Sequence, residues 1–199
     1  MDVLTKRRFR LRAVALAWIG IASMALAGSI RSQASLQAGD SRDESLEYRV
    51  KAAYLLNFTR YVEWPTSAAS DSRLSICVMG ADPFGRILDA TVTGRTVQGR
   101  PLEVRRVQTS AEAIGCEVVF LSNETWRHNP GSLRALSSAG SLTVGESEQF
   151  ARRGGVIGFV IRDETVRFVV NDQARDRAGL RISSRMLSLA AAIYGRGRS

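Results

Sequence analysis

Between Leu74 and Val144, short apolar runs alternate with polar, helix-forming stretches and glycine- or proline-marked turns. Leu74–Met79 reads as a strand. Gly80-Ala81-Asp82-Pro83 is the turn after it, with Asp82 placed to cap a helix Pro83–Ala90. Gly94 and Gly99 bracket a turn into a second strand, Leu102–Val107, and Ala111–Ile114 reads as a brief helix. Cys116–Leu121 is an apolar run of the kind buried on both faces of a parallel sheet. A helix over Gly131–Ser138 leads to a further strand, Ser141–Val144. Strands that alternate with helices in this way build an α/β sheet with right-handed crossovers.

The flanks add two other patterns. Over residues 44–63, Leu46, Val50, Ala53, Tyr54, Asn57 and Tyr61 fall on one helical face, and Leu55, Phe58 and Val62 on the adjacent one. Trp64-Pro65 ends that helix, because a residue before proline leaves the helical region. More than half of its circumference is apolar, which fits either packing on two sides or a surplus stripe for another chain. Toward the C-terminus, Gly155–Ile161 and Val166–Val170 read as an antiparallel hairpin. Asn171 caps a short helix that Gly179 stops, and Ser183 or Ser184 caps a last helix through Tyr194. The expected fold is one compact α/β domain over residues 44–195. Its sheet is mixed and mostly parallel, with the C-terminal antiparallel hairpin at one edge and helices around it.

The first 27 residues are of a different kind. Lys6, Arg7, Arg8, Arg10 and Arg12 precede an apolar run from Ala13 to Ala27, and Ala25-Leu26-Ala27 has the small-x-small form of a cleavage site. That is the three-part pattern of a secretory signal peptide cleaved after Ala27. The apolar run is shorter than the roughly 20 residues of a membrane-spanning helix, although retention as an anchor is the alternative. Residues 28–43, small, polar and Gly/Ser-rich, read as a flexible leader. The whole chain carries 28 Lys and Arg against 19 Asp and Glu; taking away the five bases and one acid of residues 1–27 leaves 23 and 18, a net of +5. The remaining arginines are scattered rather than clustered, so nucleic-acid binding is not expected. An exported chain of this kind belongs in the periplasm.

No catalytic set stands out. His128 is the one histidine, in a polar loop, and one histidine cannot make a HExxH site. There is no Cys/His cluster with zinc spacing and no GxSxG elbow. Gly80–Gly85 opens a helix after a strand but is not GxGxxG, and the charge of Asp82 there opposes phosphate. No metal, cofactor or catalytic residue is expected. Cys77 and Cys116 are the only cysteines, and in an exported chain they are expected to pair. Two buried free thiols are the alternative.

Several stretches together resemble the YfiR family. They are Tyr48–Phe58 (YRVKAAYLLNF), Tyr61–Pro65 (YVEWP), Ile76–Gly85 (ICVMGADPFG), Gly115–Leu121 (GCEVVFL), Phe150–Phe159 (FARRGGVIGF) and Ala178–Leu187 (AGLRISSRML). The resemblance covers nearly all of residues 47–193, in order. It implies a periplasmic α/β domain that regulates without catalysis. It implies repression of an inner-membrane diguanylate cyclase through contact with the cyclase's periplasmic segment, and with it lower cyclic di-GMP and less biofilm. An OmpA-like outer-membrane lipoprotein that sequesters the repressor is a further implied partner, as is a second copy in a homodimer. The resemblance also places Cys77 and Cys116 on a cysteine pair seen in relatives.

Tyr48, Tyr54, Phe58 and Tyr61 of the first helix, with Phe159 and Phe168 of the hairpin, are the candidate interaction surface. The competing reading is a periplasmic small-ligand binding or sensing domain, which needs a concave pocket with converging polar groups.

Overall fold

The computed structural model describes residues 45–65 and 72–195; the expected signal peptide (1–27) and leader (28–43) lie outside them. The compact unit begins at Glu47. Helix α1 spans 45–61 and runs into a two-residue strand β1 (Val62–Glu63). There follow β2 (Leu74–Met79), α2 (Arg86–Val92), β3 (Thr96–Val97), β4 (Arg100–Val107), β5 (Val118–Leu121), α3 (Asn123–His128), α4 (Pro130–Ser138) and β6 (Leu142–Gly145). The chain ends with α5 (Glu148–Arg152), β7 (Ile157–Arg162), β8 (Thr165–Asn171), α6 (Asp172–Arg177), β9 (Arg181–Ile182), α7 (Ser184–Leu187) and β10 (Ala192–Tyr194).

Eight strands form one sheet in the order β10-β8-β7-β6-β5-β2-β4-β3. Strands β4, β2, β5, β6 and β7 are mutually parallel, so the α/β expectation holds. Counted along the chain, these five take the order 2-1-3-4-5 of a doubly wound sheet. Alternation along the strands feeds two cores. Ile76 and Val78 of β2 and Val118 and Phe120 of β5 point to α1, α2 and α6, whereas Cys77, Met79, Val119 and Leu121 point to Trp126, Leu133, Leu136 and Phe150. The result is three layers, with both faces of the central strands buried.

Phe150 shows how closely the second layer sits. A Cβ on Gly145 would lie 2.4 Å from its ring, and one on Gly155 would lie 2.0 Å away. Only glycine at both positions lets this ring close on the sheet. Cys77 and Cys116 are joined as a disulfide in the same core, with Cα atoms 6.0 Å apart.

Several sequence expectations are corrected. The helix expected at Pro83–Ala90 begins at Arg86; Asp82 Oδ1 instead accepts from the backbone N–H of Phe84 and Gly85, holding a turn ahead of it. Ala111–Ile114 is a run of turns rather than a helix. The hairpin β7–β8 does not lie at the sheet edge: β10 covers β8 in parallel register, from Ala192 beside Val169 to Tyr194 beside Asn171. The last helix therefore stops at Leu187 instead of Tyr194. Two short helices, α3 and α5, were not anticipated. Ser122 and Ser147 cap them through the backbone N–H of Thr125 and Phe150.

Candidate functional site

Helix α1 is held against the sheet by the apolar face that its sequence encodes. Ala52, Leu55, Leu56, Phe58, Thr59 and Val62 are buried. The opposite stripe, Val50, Ala53, Asn57 and Tyr61, is exposed at helical spacing. The C-terminal end of α1 is fixed by a small antiparallel pair. Val62 lies opposite Ile182 and Glu63 opposite Arg181, and the Ser183 backbone N–H donates to the Tyr61 carbonyl at 2.9 Å. Ser183 then caps α7 by accepting from Met186 N. A serine cap one residue after β9 thus turns α7 alongside α1.

Between the two helices lies an open groove of about 200 Å³, lined by Tyr54, Asn57, Phe58, Tyr61, Phe168, Arg185, Met186 and Leu189. The floor is aromatic. Tyr54, Phe58 and Phe168 pack edge to face at 5.3–5.6 Å where Phe168 meets the other two, with Phe159 within 6.0 Å of Phe58. Tyr54 keeps its hydroxyl satisfied by donating to the Val166 carbonyl. Two apolar groups of the rim stay open to solvent: Leu189 is 62% exposed and Tyr61 38%. Arg185 adds one cation at the rim.

The six residues expected on the interaction surface divide. Phe58, Phe159 and Phe168 are core residues, 2%, 1% and 1% exposed, so as surface contacts they are corrected. Phe58 and Phe168 nevertheless form the floor of the groove, and Tyr54 and Tyr61 line it. Tyr48 lies elsewhere, at the other end of α1, where its hydroxyl donates to Glu146 at 2.9 Å and its ring meets Phe84. Asn57, Arg185, Met186 and Leu189 complete the groove and were not singled out from the sequence. Their signal was the apolar pair Met186 and Leu189, three residues apart, which was absorbed into a longer helix.

Doubly wound sheets hold ligands in the crevice beyond the carboxyl ends of their strands, where the strand order reverses. Here that position, at the ends of β2 and β5, is filled by the protein's own side chains. Gly80 follows β2 at φ +81°, and a Cβ there would come within 2.2 Å of Thr125 Oγ1. Thr125 Oγ1 also shares a hydrogen bond with Ser122 Oγ beyond β5. Next to it, at the end of β6, Glu146 accepts from Lys51 Nζ at 2.7 Å and from Tyr48. Lys51 is buried, paired with Glu47 as well, and lies over the Tyr48 ring.

Other charged groups are structural. Buried Glu117 accepts from the Ser75 backbone N–H and pairs with Arg100. Arg106 of β4 bridges Asp82, Asp89 and the Gly85 carbonyl, and its hydrogen bonds hold the Asp89 carboxyl below the ordinary carboxylate range. His128 is exposed, with Nδ1 2.8 Å from the Glu124 carbonyl. Among the described residues no group of His, Cys, Asp and Glu is placed to hold a metal ion, and no helix is long and apolar enough to cross a membrane.

Comparison with known proteins gives the family. No curated protein matches the sequence. Among solved structures, the chain is similar to a conserved domain protein from Vibrio cholerae O1 biovar eltor, at 15% identity over 60% of this chain and 54% of that one, with a TM-score of 0.46. It is also similar to an ABC domain from Streptococcus pneumonia solved in complex with L-Trp, at 12% identity over 60% and 55% of the two chains, with a TM-score of 0.43. It spans about half the length of each of those solved chains. The profile of the YfiR/HmsC-like family, DUF4154, matches residues 48–191, from α1 to the residue before β10. The chain therefore belongs to the YfiR/HmsC-like family.

Proposed function

We propose that this chain is a periplasmic regulatory protein that represses an inner-membrane diguanylate cyclase by binding its periplasmic segment, lowering cyclic di-GMP and biofilm formation. Family membership over residues 48–191 carries this reading. The geometry supports it in two ways. The α1–α7 groove offers an aromatic floor and an open apolar rim to a protein partner. At the carboxyl ends of β5 and β6, where a doubly wound sheet would hold a small molecule, Thr125 bonds Ser122, and Glu146 accepts from Lys51 and Tyr48.

In this reading the groove receives an amphipathic helix of the cyclase, with apolar anchors against Tyr61 and Leu189 and an acidic group toward Arg185. Capture of the repressor by an OmpA-like outer-membrane lipoprotein would release the cyclase, and a second copy of the chain would compete for the same rim. The test is co-purification with the periplasmic segment of a membrane cyclase encoded beside this chain, with cyclic di-GMP measured with and without the gene. Binding together with raised cyclic di-GMP on deletion is the expected result. A folded protein that neither binds nor changes cyclic di-GMP would overturn the reading.

A further inference from the structure

On the face of the sheet opposite α1, a cavity of about 430 Å³ opens between the α3–α4 corner and α5. Trp126 and Arg127 line it from α3, Pro130 and Leu133 from α4, and Gln149 and Arg153 from α5 and its cap. Its size lies within the roughly 300–1,000 Å³ of pockets that hold small molecules. Trp126 and Leu133 are buried and supply an apolar wall. Trp126 spends its one donor on Asn123 Oδ1, at 3.1 Å.

The charge of this lining is one-sided. Arg100, Arg106, Arg152, Arg162 and Arg175 each reach a carboxylate. Arg127 and Arg153 form no ion pair among the described residues, and no carboxylate lines the cavity. They stand in separate walls, and the Arg127 guanidinium lies 5.5 Å from the centroid of the Trp126 ring. Gln149 is the one neutral polar side chain present. The first turn of α4 carries neither a side-chain cap nor an acidic residue, so its dipole adds to a field that the two arginines already set.

We propose that this cavity binds a small amphipathic anion, a carboxylate carried on a short apolar body. A planar guanidinium fork holds a carboxylate through two parallel hydrogen bonds. Arg127 and Arg153 close on the carboxylate from two sides, the Gln149 amide donates to it, and the apolar body lies against Trp126 and Leu133. The site is on the other face of the sheet from the α1–α7 groove, and it stands or falls independently of the regulatory reading.

Octanoate is the probe, titrated calorimetrically into the purified protein, with octanamide as its uncharged counterpart. Saturable one-to-one binding of octanoate is expected, at least tenfold tighter than octanamide and at least tenfold weaker in R127Q/R153Q. Both arginines are exposed, so the variant should keep the wild-type unfolding midpoint. A second readout needs no variant: octanoate should move the indole N–H resonance of Trp126 and leave that of Trp64, bonded to the Glu117 carbonyl, in place. Absence of saturable binding, equal affinity for octanamide, or an unmoved Trp126 resonance would each overturn the proposal.

Discussion

Lys51 on α1 donates to Glu146 at the end of β6, at 2.7 Å, across 95 positions of sequence. The Lys51 side chain is 5% exposed and that of Glu146 12%, and Glu47 and the Tyr48 hydroxyl complete the cluster around them. This pair closes the carboxyl end of the sheet and fixes the start of α1, on which the groove is built. Removing one partner of a buried ion pair costs about 3–5 kcal/mol, because the other is left uncompensated. Lys51→Ala should lose stability on that scale in urea, whereas the double change Lys51→Met with Glu146→Leu should recover most of it. A double change as damaging as the single would show that the pair does not act as a unit.

The disulfide has a similar long reach. Cys77 and Cys116 close a loop of sequence separation 39 in the second core. In the loop-entropy account this constrains the unfolded chain by about 4 kcal/mol. The Cys77→Ala, Cys116→Ala variant should unfold at correspondingly lower urea, and a reducing agent should lower the wild type to the same midpoint while leaving the variant unchanged.

Phe150 gives a steric prediction. Gly155→Ala would place a methyl inside its ring, and the backbone must shift to relieve the clash. A loss of about 3 kcal/mol is expected, at the upper end of the cost of overpacking. Gly131→Ala, where a Cβ meets nothing within 4 Å, should be nearly neutral in the same assay.

Asp89 gives a pH dependence. Arg106 holds its carboxyl below the ordinary value of 3.8 through side-chain hydrogen bonds. A folded-state pKa below the unfolded one means that the unfolded chain takes up the proton first. The stabilisation is therefore complete above the unfolded value and is lost as pH falls through the lowered one. The stability advantage of the wild type over Asp89→Asn should be constant at neutral pH, begin to shrink near pH 3.8 and vanish only as pH falls through the lowered value. An advantage that persists unchanged into that acid range would contradict the assignment.

Much of this architecture was legible in the chain. The alternation from Leu74 to Val144 marked the parallel sheet, and Asn171 marked the cap of α6, where its side chain accepts from Ala174 N. The cysteine pairing followed from there being two cysteines in a chain expected to be exported. What failed did so for physical reasons. Helices of five or six residues, such as α3 and α5, have too few turns to show a period, and their serine caps alone announce them. Ala190, Ala191 and Ala192 favour helix, yet the open edge of β8 takes this segment as a strand, with the Ala191 N–H donating to the Phe168 carbonyl at 2.8 Å. Phe58, Phe159 and Phe168 could be taken for surface because an apolar surplus looks the same whether the domain or a partner covers it. Here α1 and the β7–β8 hairpin cover one another.

The groove is the centre of the account, and Leu189 tests it best because it lines the groove yet is 62% exposed and lies outside the buried core. The measurement is the affinity of the cyclase's periplasmic segment for the wild type and for Leu189→Asp, with unfolding midpoints recorded for both. At least a tenfold loss of affinity is expected at an unchanged midpoint, as for truncation of a binding hot spot, accompanied by raised cyclic di-GMP in cells carrying the variant. Unchanged affinity and unchanged cyclic di-GMP in a fully folded Leu189→Asp protein would contradict the account.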